Sequence, residues 1–294
     1  MMQHDPVIWA IPFFLVLIAV ELYLNWRHKY GWYEWKDTAA SLAMGAGSVV
    51  IGGGVKLLAF LYFTWLHQFA LFPEIQWQWW AWVLCFFADD FTFYVHHRAS
   101  HEVRILWAAH VNHHSSQKIN FGTALRQSWT EILYKYFWWT WLPLLGFEPL
   151  MVMIMMSISL IFQFFQHTEA VRKFPKVVEF FFNTPSHHRV HHASNIRYLD
   201  QNHAGVLIIW DRMFGTFAEE DDKEAPVYGI TKNIESYNPL IIASHGFKEL
   251  WEDVRRAPNL GSKLKYLFMP PGWSHDGQDL RAKTLRKQAL RGKT

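Results

Sequence analysis

Histidines at helical spacing constrain this chain more than any other feature. Of its 17 histidines, 12 fall between His96 and His203, roughly a third of the length. They form three groups: HHRASH (96–101), HVNHH (110–114) and HHRVHH (187–192). His97 and His101 are four apart, His110, His113 and His114 stand at i, i+3, i+4, and His188, His191 and His192 repeat that pattern. Such separations set the imidazoles of each group on one helix face. Neutral imidazole is the commonest protein metal ligand, and eight rings exceed what one four- to six-coordinate ion takes. Two ions side by side is the economical reading, and three distant segments must then converge on them.

Two neighbouring chemistries fail on spacing. His101-Glu102 starts like a zinc-protease HExxH helix, but the fifth position is Ile105. No Glu-x-x-His occurs, so a carboxylate-rich di-iron bundle is disfavoured. The centre is expected to be histidine-rich.

Apolar runs set the class. Residues 7–24 (VIWAIPFFLVLIAVELYL) match one bilayer thickness of helix, with Glu21 near the end. No small-residue cleavage pattern follows, so the run reads as an anchor. A second run, 38–66, contains GAGSVVIGGG, whose small residues suit close helix approach better than a nucleotide loop. A third spans 77–95 and ends in the first histidine group. Runs 129–145 and 149–165, joined at Gly146-Phe147-Glu148, read as a hairpin that dips into or crosses the membrane.

The 25–37 loop carries Arg27, Lys29 and Lys36, whereas the 67–76 loop has no Lys or Arg. The positive-inside bias then places the N-terminus outside and all three histidine groups on the cytoplasmic face. From about residue 170 the chain is mostly polar and reads as a cytosolic cap. The basic end, 281–294, suits anionic head groups or a solvated tail. A lone Cys85 excludes an internal disulfide, and the net charge of +3 gives no reason to expect nucleic acid.

Asp90 lies in an apolar run, where a carboxylate needs a partner. Asp90, Tyr94, His97 and His101 follow one helix face, so Asp90 is expected to accept the second ring N–H of a ligand histidine. Glu102 and Glu169 are candidate proton carriers. His167 and His187 join the candidate ligands.

With these residues in view, the chain resembles the membrane fatty acid hydroxylase and sterol desaturase superfamily. The match covers about residues 77–217: HRASH (His97, His101), HVNHH (His110, His113, His114) and HHRVHH (His188, His191, His192). Within it the likeness is closest to the alkylglycerol monooxygenase branch, through HVNHHSS, TALRQS (123–128), QHTE, NTPSHHRVHH and GVLIIWDRMFGTF (205–217). The resemblance implies a four-helix-type membrane body under a cytosolic cap, a dimetal centre, dioxygen, and ether lipids oxidised with a reduced pterin.

The expectation is an all-α, polytopic integral membrane bundle whose cytosolic, histidine-rich cap carries a dimetal site. It divides into membrane helices (1–76), a catalytic domain (77–217) and a C-terminal cap with a basic tail (218–294). The expected activity is that of a di-iron oxygenase that hydroxylates or desaturates a lipid C–H bond, with iron exchangeable for zinc. No dinucleotide fingerprint is present, so electrons come from an external protein or a reduced pterin. A metal transporter or sensor and a bis-histidine haem carrier are the rivals. Transport sites sit near the bilayer midplane, and a haem uses only two of these rings.

Overall fold

The computed structural model describes residues 5–277 and 279–291, so the last three residues of the basic tail, 292–294, lie outside it. Among the described residues, twelve α-helices follow in chain order. They are α1 (Pro6–His28), α2 (Trp35–His67), α3 (Trp79–Glu102), α4 (Arg104–His114), α5 (Trp141–Leu145) and α6 (Pro149–Phe164). The remainder are α7 (Lys176–Phe181), α8 (Pro185–His191), α9 (Ile209–Phe214), α10 (Pro239–Arg256), α11 (Leu260–Phe268) and α12 (Ala282–Arg291). Two isolated β-bridges occur, and no strand, among the described residues.

Two of these helices, α1 and α2, are long and apolar enough to cross a membrane; α6 is apolar but shorter. On α1 the usual burial pattern of a soluble helix is inverted. Trp9, Phe13, Leu15 and Val16 are exposed, while its single buried residue is Glu21. A soluble surface does not tolerate so continuous an apolar patch. These helices mark a membrane-associated chain.

The core gathers around α6, which packs on α1, α2 and α3. Phe63, Cys85, Trp139, Leu142, Met151 and Val152 form its buried centre. The expected helix over 129–145 is instead a series of short turns (Glu131–Leu133, Lys135–Trp139) followed by α5. Three indole N–H groups give the reason. Trp129 donates to the Met44 carbonyl (2.8 Å), Trp139 to Asp89 (2.6 Å) and Trp141 to the Thr92 hydroxyl (3.0 Å). The buried Trp139 indole requires an acceptor, the other two bonds tie the same segment, and reaching α2 and α3 overrides local helix preference. The small residues of α2 admit this segment, because a Cβ on Gly47 would stand 2.5 Å from the Trp129 ring.

The polar clamps on α1 and α2 lie at one end of the bundle. Glu21 accepts from the Tyr33 hydroxyl (2.5 Å), the Phe121 amide (2.8 Å) and the Thr168 hydroxyl. Asp37 takes the Arg126 guanidinium at 2.5 Å. Lys118 and Asn120 donate to the carbonyls of Gly31 and Trp32. The loop between α1 and α2 is therefore fastened to the segments that follow His114 and His167. Lys56, which pairs with Asp5 and Ser157, sits far along α2 from that loop.

A single extended residue, Val103 (φ −118°, ψ 116°), separates α3 from α4 and folds them against one another. Over α4 lies α10, so close that a Cβ on Gly246 would stand 2.7 Å from the Ala108 carbonyl oxygen.

Candidate metal centre

The reversal at Val103 brings the first two histidine groups together, and α8 and the end of α6 complete the enclosure. Nine imidazoles, all buried, collect into two adjoining groups. One holds His97, His101, His110, His114 and His191; the other holds His113, His167, His188 and His192. Within each, one ligand atom per residue lies within 4.8 Å of every other. Neighbours on one helix serve different groups: α4 sends His114 to the first and His113 to the second, and α8 does the same with His191 and His192.

Hydrogen bonds fix which ring nitrogen carries the proton. His97 Nδ1 donates to the His203 carbonyl (2.8 Å), His191 Nδ1 to the Gln201 carbonyl (3.0 Å) and His101 Nδ1 faces the Asp200 carboxylate (3.3 Å). His110 Nδ1 donates to Glu131 (2.8 Å), His113 Nδ1 to the Arg126 carbonyl (3.1 Å) and His167 Nδ1 to the Gln163 carbonyl (2.9 Å). Carbonyl and carboxylate oxygens only accept, so each Nδ1 bears the hydrogen and each Nε2 is a bare lone pair.

Those lone pairs face each other. His97 and His110 Nε2 are 3.1 Å apart, and His113 and His167 Nε2 are 3.2 Å apart. His188 Nε2 stands 2.9 Å from His167 and 3.0 Å from His192. With no proton left to share, the first two contacts are repulsive unless a cation lies between them. Metal–nitrogen bonds of about 2.0–2.1 Å at angles from octahedral to tetrahedral give ligand edges of about 2.9–3.4 Å. The observed separations fall in that range, so the donor set fits metal ions.

The fatty acid hydroxylase family profile matches residues 82–216, a span that contains all nine imidazoles. Alkylglycerol monooxygenases of Xenopus tropicalis and Homo sapiens are 37% and 36% identical over 270 residues, 90% of this chain. Residues 82–216 belong to the fatty acid hydroxylase family. The chain spans 58% and 59% of the length of those two relatives. An ornithine lipid hydroxylase of Rhizobium tropici is 29% identical over 148 residues, 49% of this chain and 44% of its own. No solved structure matches.

Four expected site residues stand apart from the imidazole groups. Asp90 accepts from the Val206 amide (2.7 Å), the Leu207 amide (3.0 Å) and the Trp210 indole (2.9 Å), and from no histidine. Its face of α3 meets the loop after α8, which consumes the carboxylate. Glu102 pairs with Arg98 (2.9 Å) one turn away on a solvated face. His187 precedes His188 by one residue, about 100° around the helix, and so turns away to Glu179 (3.1 Å). Glu169 accepts from the Tyr228 hydroxyl.

Other residues of the site escaped the spacing argument. Glu131, the carboxylate on His110, carries the signal that singled out Asp90: an acid inside an apolar run. The carbonyls of Gln163, Arg126, Gln201 and His203 have no sequence signal, because every residue has one. Arg126 is held in place by Asp37, Ser41 and Ser115, all buried.

Burial holds His113, His114, His188, His191 and His192 well below their ordinary value of 6.5, with nearby imidazoles adding to the effect; it lowers His167 to about 4. Folded values below the unfolded one mean that the metal-free folded state binds fewer protons. Its stability is full above about pH 6.5 and declines as pH falls toward the folded values. Chelator-stripped protein should therefore melt progressively lower from about pH 7 to pH 5; a flat melting temperature would contradict neutral buried rings.

Proposed function

We propose that this chain is an integral membrane, dioxygen-dependent lipid hydroxylase whose two imidazole groups hold two iron ions. The observation that carries the reading is the pair of bare Nε2 contacts at 3.1 and 3.2 Å, one in each group. Family membership and relatives named for oxidising alkylglycerols and ornithine lipids support a lipid C–H bond as the target. When bound, the irons supply the redox chemistry that reduces dioxygen, one oxygen entering a C–H bond and the other leaving as water. The two electrons this requires come from an external reductant, an electron-transfer protein or a reduced pterin.

The chain's own residues hold the imidazoles rigid and keep water away. The acceptors on Nδ1 fix ring tautomer and orientation, and α10 lies over α4. Multi-pass topology follows from α1 and α2 crossing the bilayer. The loop with Arg27, Lys29 and Lys36 is fastened beside the histidine groups, so the positive-inside bias puts the site on the cytoplasmic face. The reading keeps residues 77–217 as the catalytic domain between the N-terminal helices and the cap.

Metal analysis of anaerobically purified protein, with Mössbauer spectra after iron-57 labelling, tests this. About two irons per chain, coupled after oxidation, are expected. Labelled oxygen from dioxygen should then appear in a lipid alcohol. Absence of bound metal overturns the proposal, as does zinc that iron cannot replace with recovery of turnover. The transport rival gains nothing from the geometry, because all nine imidazoles close on themselves.

A further inference from the structure

The sequence reads as a polar cap from about residue 170, yet α7 and α9 carry an exposed apolar surface. Val177 (71% exposed), Phe180 and Phe181 share one face of α7, Phe182 follows, and α9 adds Met213 (67% exposed) and Phe214. Hydrogen bonds join the two helices into one body. The Ile208 amide donates to the Phe181 carbonyl (3.0 Å) and the Asn183 amide to the Val206 carbonyl (2.7 Å). Arg212 on α9 donates to the carbonyls of Glu179 and Phe180 (both 3.2 Å), and its guanidinium lies 5.0 Å from the Phe180 ring centre. The Val178 carbonyl takes the Phe182 amide (2.9 Å). The carbonyls at the end of α7, from Val178 to Phe181, thus all have protein donors and need no water, a condition for lying in hydrocarbon.

Two sets of ring contacts measure how deep this body lies. On one side the Phe182 ring stands 6.3 Å from Phe162 on α6, and Phe164, two residues further on, stacks on Phe14 of α1 at 3.9 Å. Phe14 lies twelve residues, about 18 Å of helix, from Trp26 near the end of α1. On the other side Trp210 and Phe214 pack on Phe91 of α3 at 5.1 and 6.1 Å. Phe91 lies twelve residues, again about 18 Å, from the exposed Trp79 at the opposite end of the bundle. A hydrocarbon layer is about 30 Å thick, and tryptophan favours its boundaries. Both contacts therefore fall inside it. After His167 the chain has risen only to the level of Glu21, which takes the Thr168 hydroxyl, before α7 turns back.

We propose that α7 and α9 form a re-entrant element whose apolar face is covered by lipid acyl chains of the leaflet on the histidine side. This rests on the reading that α1 and α2 cross the bilayer. The patch continues the lipid-facing surface of α3 through Phe91 and the exposed Phe87 and Leu84, one helix face. Arg172, Lys173 and Lys176, all exposed, form its rim, and their long side chains suit the phosphates of the same leaflet. Only Asn183 and Thr184 separate Phe182 from α8. Lipid then reaches the flank of the segment that carries His188 and His191.

Nitroxide labels on single added cysteines, in the full chain reconstituted into phospholipid nanodiscs, test this; the native Cys85 is buried and stays unlabelled. Val177→Cys and Met213→Cys place labels on the patch, Val49→Cys near the middle of α2, and Asp222→Cys on the polar surface. Oxygen concentrates in hydrocarbon, which excludes a polar nickel chelate. The oxygen-to-nickel collision ratio at 177 and 213 should therefore exceed that at 222 by about tenfold. Labels at 177 and 213 as open to nickel as the one at 222, with 49 still lipid-like, would overturn the re-entrant assignment and leave the membrane reading intact. Labels at 177 and 213 shielded from both reagents would also overturn it, because protein and not lipid would then cover the patch. Nickel access at 49 would overturn both.

Discussion

Alanine at His188 should remove one metal ion per chain and reduce lipid hydroxylation by about 10³-fold, the loss of several kcal/mol of transition-state stabilisation. His188 is the hub of the four-imidazole group, its Nε2 within 3.0 Å of both His167 and His192. With only three imidazoles left, that position holds an ion weakly. Arg189 beside it is tied to Glu220 and to the carbonyls of Thr168, Val171 and Arg172, so α8 should survive the change. Iron stoichiometry, turnover and helical content measured on one preparation separate the possibilities. A folded His188→Ala protein with two irons and full turnover would show that this group is not the centre.

Asp90→Ala should be the most damaging substitution outside the imidazoles, and it acts on folding. Three donors converge on that carboxylate: two amides of the loop after α8 and the Trp210 indole. Each donor left buried and unpaired costs about 1–3 kcal/mol. Their sum is comparable to the about 5–15 kcal/mol by which a native protein is stable. Little folded Asp90→Ala protein should accumulate. Asp90→Asn, with one acceptor oxygen, should fold with a markedly lower melting temperature. Size-exclusion profiles and thermal melts of the detergent-solubilised variants check this, and an Asp90→Ala protein melting with wild type would refute the tie.

Helical periodicity made the centre legible because ligands on a helix face have a repeating address. His110, His113 and His114, and likewise His188, His191 and His192, could be named from spacing alone. His167 was reached through its position at the end of an apolar run. The His203 carbonyl that orients His97 had no periodic signal; it comes from a turn, and turns carry no register. Asp90 shows the opposite limit. An acid in an apolar run reliably signals a buried partner, yet the partner proved to be backbone of a segment more than a hundred residues away. The apolar pattern located α1, α2 and α6. It failed over 129–145, where three indoles seeking acceptors decide the backbone path. Periodicity registers burial, whereas hydrogen-bond demand across segments leaves no period to read.

Because His113 and His114 are consecutive on α4, and His191 and His192 adjoin at the end of α8, each helix contributes to both imidazole groups. The interval between any ions held there is thus gauged by helical pitch, twice over, and by no hinge or interface. Rearrangement of the membrane-facing helices around a different lipid would slide past this gauge without spreading it. The two imidazole groups and the exposed apolar faces of α1 and α2 are in that sense mechanically decoupled, and one can diversify while the other stays fixed.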